Sequence, residues 1–152
     1  MTDDPITVTD VDDGLGLALS ELIDRFNVDA TGFDDGRLLR AEHRGDDGRL
    51  EAGLAGWTWG GCGYIDHLWV RQDRRGAGLG SRLLAAAEDE AIARGCAQMI
   101  VSSHTFQAPD FYRRRGYIEY ARTENSPRGY ADVHLVKDLG GGTHSGSHSA
   151  VQ

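Results

Sequence analysis

The chain has 152 residues, 39% of them hydrophobic and 26% charged, which suits a single globular domain. Its net charge of −8 argues against nucleic acid as the main partner, and no apolar run approaches the roughly 20 residues of a membrane-spanning helix. Met1–Pro5 lacks the basic start and apolar stretch of a secretory signal, so we expect a cytoplasmic protein. Cys62 and Cys96 show no metal-binding spacing and are interpreted as structural thiols, with no metal expected.

The N-terminal quarter predicts a strand and then a helix. Ile6–Thr9 is typical of a short first strand, and Asp10 can cap the helix that follows. Five apolar residues of that helix recur at helical spacing: Leu15, Leu19, Leu22, Ile23 and Phe26. Asn27–Gly36 is rich in turn-forming residues and predicts a loop.

Three strand-like runs come next and predict an antiparallel meander. They are Arg37–His43, Leu50–Trp59 and Tyr64–Val70. An Asp-Gly turn within Gly45–Gly48 separates the first two, and Gly60–Gly63 separates the last two.

The C-terminal half alternates between helices and strands. The expected elements are a helix at Ser81–Arg94, a strand at Ala97–Ser102, a helix at Pro109–Arg115, and strands at Tyr117–Ala121 and Ala131–Val136. In the first of these helices Leu84, Ala87 and Ala91 share one face. We therefore expect an α+β domain over residues 1–138 and a disordered Gly/Ser/His tail over residues 139–152.

The segment from Leu68 to Ser81 carries the strongest chemical signal. A strand leads into a loop with glycine at every second position (Gly76, Gly78, Gly80), and the loop opens directly into a helix. Glycines let the backbone approach a ligand closely, and a helix start presents unpaired N–H groups and a partial positive charge. Such a loop suits a pyrophosphate.

Arginines favour the same interpretation. Four lie in or beside the loop (Arg71, Arg74, Arg75 and Arg82), and three more are consecutive at residues 113–115. The loop has no lysine, which argues against a Walker loop, and its glycine spacing differs from that of a dinucleotide fingerprint.

Two blocks of this sequence resemble the GNAT (Gcn5-related N-acetyltransferase) family, and the stretch Phe106-Gln107-Ala108-Pro109-Asp110-Phe111-Tyr112 is similar to its bacterial small-molecule-type members. Arg75-Gly76-Ala77-Gly78-Leu79-Gly80 is similar to the family's acyl-coenzyme A signature, and Phe111-Tyr112-Arg113-Arg114-Arg115-Gly116-Tyr117 is similar to its helix–strand junction. The resemblance implies a mixed, mostly antiparallel sheet of about seven strands flanked by three to four helices. It also implies a V-shaped opening between the fourth and fifth strands.

The resemblance further implies acetyl-CoA as co-substrate and direct transfer of the acetyl group to an amine. Tyr112 is expected beside the thioester sulfur as a proton donor, with packing against the cofactor as the alternative. The expected cofactor-binding residues are Leu68, Trp69, Val70, Arg75, Gly76, Ala77, Gly78, Leu79, Gly80, Ser81, Gln107 and Tyr112. For Gln107 a helix-capping role is equally open.

An attacking amine must lose a proton, so a base is required. Asp66 is the first candidate and His67 the second, and a base elsewhere or water remains open. Strand alternation predicts that the two side chains point to opposite faces.

Net charge favours a small cationic acceptor, such as a polyamine or an aminoglycoside-like molecule. A protein amino group is an alternative acceptor, and a silent acyl-CoA sensor is an alternative function. Neither nucleic acid nor a membrane is expected as a partner, whereas a homodimer is a candidate assembly because dimers are common in the family.

Overall fold

The structure is a computed structural model that describes residues 4–140. The chain divides into two compact units, one ending at Asp34 and the other beginning at Asp35. The tail predicted to be disordered lies outside the described residues, apart from Leu139 and Gly140.

The first unit contains one helix, α1 (Leu15–Thr31). It begins after Gly14 and ends at Gly32, both in the left-handed region that glycine adopts readily, and the N–H of Gly32 donates to the Val28 carbonyl at 2.7 Å. The helix therefore continues through residues that predicted a loop from Asn27. No strand forms at Ile6–Thr9 among the described residues, so that prediction is wrong.

The second unit is built on a six-stranded sheet in the order β1-β2-β3-β4-β6-β5. The strands are β1 (Arg37–Arg44), β2 (Leu50–Trp59), β3 (Cys62–Val70), β4 (Gln98–His104), β5 (Ile118–Glu124) and β6 (Ala131–Asp138). Every neighbouring pair is antiparallel except β3–β4, which is parallel. The α+β fold is thus as predicted, and residues 4–140 form six strands instead of about seven.

Two helices accompany the sheet: α2 (Leu79–Ala93) and α3 (Pro109–Arg113), together with a single 3₁₀ turn at Gln72–Arg74. Leu84, Ala87 and Ala91 on α2 are buried, as their periodicity predicts. They pack in one core with buried residues of the sheet, among them Met99 and Leu135. The core therefore fixes α2, and with it the loop that precedes α2, against the sheet.

Candidate active site

The strands β3 and β4 separate part-way along their length. Only four residue pairs join them, from Cys62–Gln98 to Ile65–Val101. β4 nevertheless stays paired with β6 as far as His104. The facing edges of β3 and β4 are therefore open beyond Ile65 and Val101, and their backbone groups are available to an extended ligand. This is the V-shaped opening that the resemblance implies; it lies between the third and fourth strands because the expected first strand is absent from the described residues.

A cleft of about 920 Å³ occupies this opening. It brings together the end of β3, the glycine loop, the start of α2, the end of β4 and α3. Its lining includes all the predicted site residues except Ala77: Asp66, Leu68, Trp69, Val70, Arg75, Gly76, Gly78, Leu79, Gly80, Ser81, Gln107 and Tyr112. Phe106 and Phe111, from the blocks that resemble the family, also line the cleft. Ser102 and Ser103 line it too, and no motif in the sequence indicates these two serines.

The glycine loop presents a run of unpaired backbone donors to the cleft. Gly76 and Gly78 adopt φ angles of 82° and 79°, which side chains rarely tolerate. The first hydrogen bond of α2 runs from the Arg82 N–H to the Gly78 carbonyl, and no side chain caps the helix. Within the described part of the chain, the six N–H groups from Gly76 to Ser81 have no hydrogen-bond partner. Six free donors at a positive helix terminus form a site for an anion such as a pyrophosphate.

The arginines near the loop have different roles. Arg75 lines the cleft, and its Nε donates to the Val70 carbonyl at 2.9 Å. Arg74, which also lines the cleft, and Arg71 both pair with the Glu51 carboxylate on β2, at 3.0 and 3.1 Å. Glu51 thereby attaches the approach to the loop to the sheet, a contact that the sequence does not predict.

Arg115 joins α3 to the start of α2. Its Nε donates to the Ser81 hydroxyl at 2.7 Å, and its guanidinium lies 3.8 Å from the centre of the Phe111 ring. Arg113, by contrast, faces Asp110 and Glu119. Hydrogen bonds from Arg122 and Arg113 lower the pKa of Glu119 to about 2. Of the three consecutive arginines, Arg115 alone lines the cleft.

Tyr112 lies in the cleft wall where α3 meets the sheet. Its side chain is 5% exposed and packs edge-to-face on Tyr117, with 5.5 Å between ring centres. Burial raises the pKa of Tyr112 to about 12, so its hydroxyl keeps its proton at neutral pH. Among the described residues none hydrogen-bonds to this hydroxyl, which leaves it available to a ligand.

Asp66 is the extra residue of a β-bulge. His67 pairs with Ala55 and Ile65 with Gly56, so Asp66 has no partner on β2. A Cβ at position 56 would collide with the Tyr64 carbonyl oxygen, so the bulge requires glycine there. The strict alternation predicted for Asp66 and His67 does not apply at a bulge, and both residues line the cleft.

Gln107 does not cap α3. The residue before the helix is Ala108, and no side chain caps the helix start. The Gln107 Oε1 instead accepts a hydrogen bond from the His104 N–H at 2.9 Å. The capping alternative is therefore wrong, whereas Gln107 does lie in the cleft wall.

Neither cysteine lines the cleft. Burial raises the pKa of the Cys96 thiol, and the Cys62 sulfur accepts a hydrogen bond from Gln98. Within residues 4–140, no group of three or more potential ligand side chains could hold a metal ion. In the same range no helix is long and apolar enough to cross a membrane.

A splayed parallel strand pair, a glycine loop of free N–H donors and a buried tyrosine beside the gap define a transferase that uses an acyl-coenzyme A. Residues 22–117 match the Acetyltransferase (GNAT) family. The chain belongs to this family, and it is an acetyl-CoA-dependent N-acetyltransferase.

Other proteins to which the chain is similar are acetyltransferases as well. The chain is 44% identical over 99 residues to a blasticidin-S acetyltransferase of Streptomyces morookaense, which covers 62% of this chain and 71% of the relative. It is 34% identical over 102 residues to an acetyltransferase of Agrobacterium fabrum, covering 67% and 74% of the two chains. The crystal structure of an acetyltransferase from Bacillus cereus aligns with a TM-score of 0.75 and 26% identity, over 88% of this chain and 97% of that one.

Proposed function

We propose that this enzyme transfers the acetyl group directly to a primary amine of a small cationic molecule, with Tyr112 and Asp66 as its catalytic residues. The observation that carries the proposal is that both side chains and the glycine loop line one continuous cleft. A direct transfer needs the amine, a base and the thioester within one space, and this arrangement provides it.

The residues that line the cleft suggest how each part of acetyl-CoA would be bound. The six N–H groups from Gly76 to Ser81 would hold the pyrophosphate, with Arg75 and Arg115 beside it. The open edge of β3 at Val70 would hydrogen-bond the pantetheine arm as a neighbouring strand does, whereas the backbone of Trp69 faces β2 in the alternating pairing of an antiparallel pair. When bound, acetyl-CoA supplies the activated acetyl thioester. The N–H of Val70 would polarise the thioester carbonyl.

Asp66 would accept the proton that the amine loses, directly or through water. The bulge places it where β3 and β4 begin to separate, at the point where the two sides of the gap are closest to each other. His67 is the alternative base on the same strand. Asp66 is preferred because it lines both the large cleft and the smaller cavity described below.

Tyr112 would stabilise the sulfur of the departing thiolate. Its pKa of about 12 exceeds the ordinary thiol value of about 8.5, so complete proton transfer to the thiolate is unfavourable. A hydrogen bond from the hydroxyl to the developing negative charge carries no such cost and is strong in a water-excluded site. We therefore assign Tyr112 as a hydrogen-bond donor to the leaving group.

The name of the Streptomyces relative supports a small-molecule acceptor, and the net charge of −8 supports a cationic one. The test is acetyl-CoA-dependent release of free thiol with a panel containing blasticidin S, spermidine, an aminoglycoside and a lysine-containing peptide. Turnover with at least one small amine, well above that with the peptide, supports the proposal. Turnover with the peptide alone would assign a protein amino group as acceptor and overturn it.

A further inference from the structure

A second cavity lies at the same gap and has a different lining. It measures about 210 Å³ and is lined by residues of β2 to β6: Trp57, Tyr64, Ile65, Asp66, Ile100, Val101, Ser102, Tyr120 and His134. Ile65, Asp66, Val101 and Ser102 line the large cleft as well. These four residues mark the point where β3 and β4 stop pairing, so the two cavities meet there.

Aromatic rings form two walls of this cavity. Trp57 and Tyr64 are cross-strand partners whose rings stack at 3.9 Å with 13° between their planes. Tyr120 and His134 form another wall, with ring centres 6.3 Å apart. A hydrogen-bond contact of 3.1 Å between Thr123 Oγ1 and His134 Nε2 fixes the histidine ring.

Tyr120, like Asp66, is the extra residue of a bulge. On β5, Glu119 pairs with Leu135 and Ala121 with His134, which leaves Tyr120 without a partner on β6. Bulges redirect one side chain and are frequent beside active sites. Two bulges on strands that do not pair with each other each supply one residue to this cavity.

The residues that line this cavity favour a positively charged ligand. Asp66 is an acidic residue at the mouth, no arginine or lysine is among the lining residues that the structure describes, and the aromatic faces attract cations. The volume lies below the roughly 300 Å³ at which sites for whole drug-sized ligands begin. The cavity therefore suits one compact charged end of a molecule.

We infer that this cavity binds the far end of the acceptor, and that the acceptor carries a second cationic group, such as a guanidinium, besides the amine that reacts. The inference rests on the proposed function for the position of the reacting amine at Asp66. The second cation would lie against Tyr120 and the Trp57–Tyr64 stack, which places the reacting amine at the junction with the large cleft.

The experiment compares three amines that differ only at the far end: agmatine (cationic), hexylamine (neutral) and 6-aminohexanoate (anionic). Their binding to the CoA-saturated enzyme is measured by calorimetry, and their acetylation by thiol release. We expect agmatine to bind ~10-fold or more tightly than the other two, because it alone carries a second cation, which can lie against the aromatic rings while the amine lies at Asp66. Tyr120→Ala should reduce that preference at least ~5-fold.

Ile118→Ala is the matched control, because Ile118 lies on the same strand as Tyr120 but does not line the cavity. The two side chains are similarly exposed, Ile118 at 70% and Tyr120 at 58%. It should leave the preference for agmatine unchanged. Equal binding of the three amines, or a preference that survives Tyr120→Ala, would overturn the inference even if all three are acetylated. Selective agmatine binding without acetylation of any amine would count against the proposed function and leave the inference standing.

Discussion

Arg74 and Glu51 form an ion pair of 3.0 Å that joins the approach to the glycine loop to strand β2. The same carboxylate pairs with Arg71 at 3.1 Å and lies 3.5 Å from His43, although its side chain is only 11% exposed. The loop that would bind the pyrophosphate is thus attached to the sheet through a nearly buried anion.

Glu51→Gln should lower the free energy of unfolding by ~1–3 kcal/mol, because it removes the charge that Arg71 and Arg74 share. Arg74 then has no counter-ion among the described residues, whereas Arg71 keeps its ion pair with Asp73. Urea denaturation measures the change. Glu124→Gln is the matched control, since Glu124 is 70% exposed and its ion pair is 3.9 Å long; its effect should stay within about 0.5 kcal/mol. Equal effects of the two substitutions would refute the anchoring role of Glu51.

Tyr112→Phe removes the hydroxyl and keeps the ring. If the hydroxyl donates to the leaving sulfur, kcat should fall ~10²-fold while acetyl-CoA affinity barely changes. Steady-state kinetics and calorimetry separate the two effects. Near-normal turnover would leave only packing against the cofactor as the role of Tyr112.

Tyr117→Phe is the control for this substitution, because Tyr117 is equally buried and packs on Tyr112. Its hydroxyl donates to Glu88 at 3.0 Å, and it does not line the cleft. The control should lose stability through the missing hydrogen bond and keep most of its kcat.

The titration of Tyr112 provides a separate test. Its pKa is raised from the ordinary 10 to about 12, so the stability that its neutral form contributes is complete below pH 10 and is lost between pH 10 and 12. The measurement is the absorbance of tyrosinate at 295 nm as the pH is raised, in the wild type and in Tyr112→Phe. The difference between the two titration curves reports Tyr112 and should have its midpoint near pH 12. A midpoint near pH 10 would mean that the hydroxyl is solvated.

Local patterns predict the glycine loop and α2 correctly, since helical spacing and the loop's glycines act within a few residues of each other. The same reasoning fails at the N-terminus. Ile6–Thr9 has strand-like residues but pairs with no strand among the described residues, and Asn27 favours turns but lies within α1. Local propensity is a weak guide where pairing or an existing helix decides the conformation.

The residues of the site likewise divide into those that local sequence indicates and those that depend on contacts between distant segments. The sequence indicates Asp66 by its place before the loop, whereas it gives no local sign of Tyr120, because the bulge at Tyr120 depends on pairing between strands. The sequence gives no sign of the ion pairs of Glu51 for a similar reason, since Arg71 and Arg74 are 20 or more residues away. Contacts that depend on long-range register leave no local signal.

Asp66→Asn should lower kcat by ~10²-fold or more if Asp66 is the base or positions the water that acts as one. The loss should be largest at low pH, where the amine is most protonated. His67→Gln, on the neighbouring residue, should have the smaller effect on kcat. A change confined to the KM of the acceptor would make Asp66 a substrate-binding residue, and a larger loss in His67→Gln would transfer the role of base to His67.

The most direct test of the account is calorimetric titration of Gly78→Asp with acetyl-CoA. Gly78 has a φ of 79° and open space around it, so the aspartate should be accommodated at a cost of about 1 kcal/mol while its carboxylate repels the pyrophosphate. Gly48→Asp is the matched control, because Gly48 has a φ of 77° and equally open surroundings in the β1–β2 turn. We expect the two variants to have similar melting temperatures, Gly48→Asp to bind acetyl-CoA as the wild type does, and Gly78→Asp to show no measurable binding. Wild-type affinity in Gly78→Asp would contradict the assignment of this loop as the pyrophosphate site.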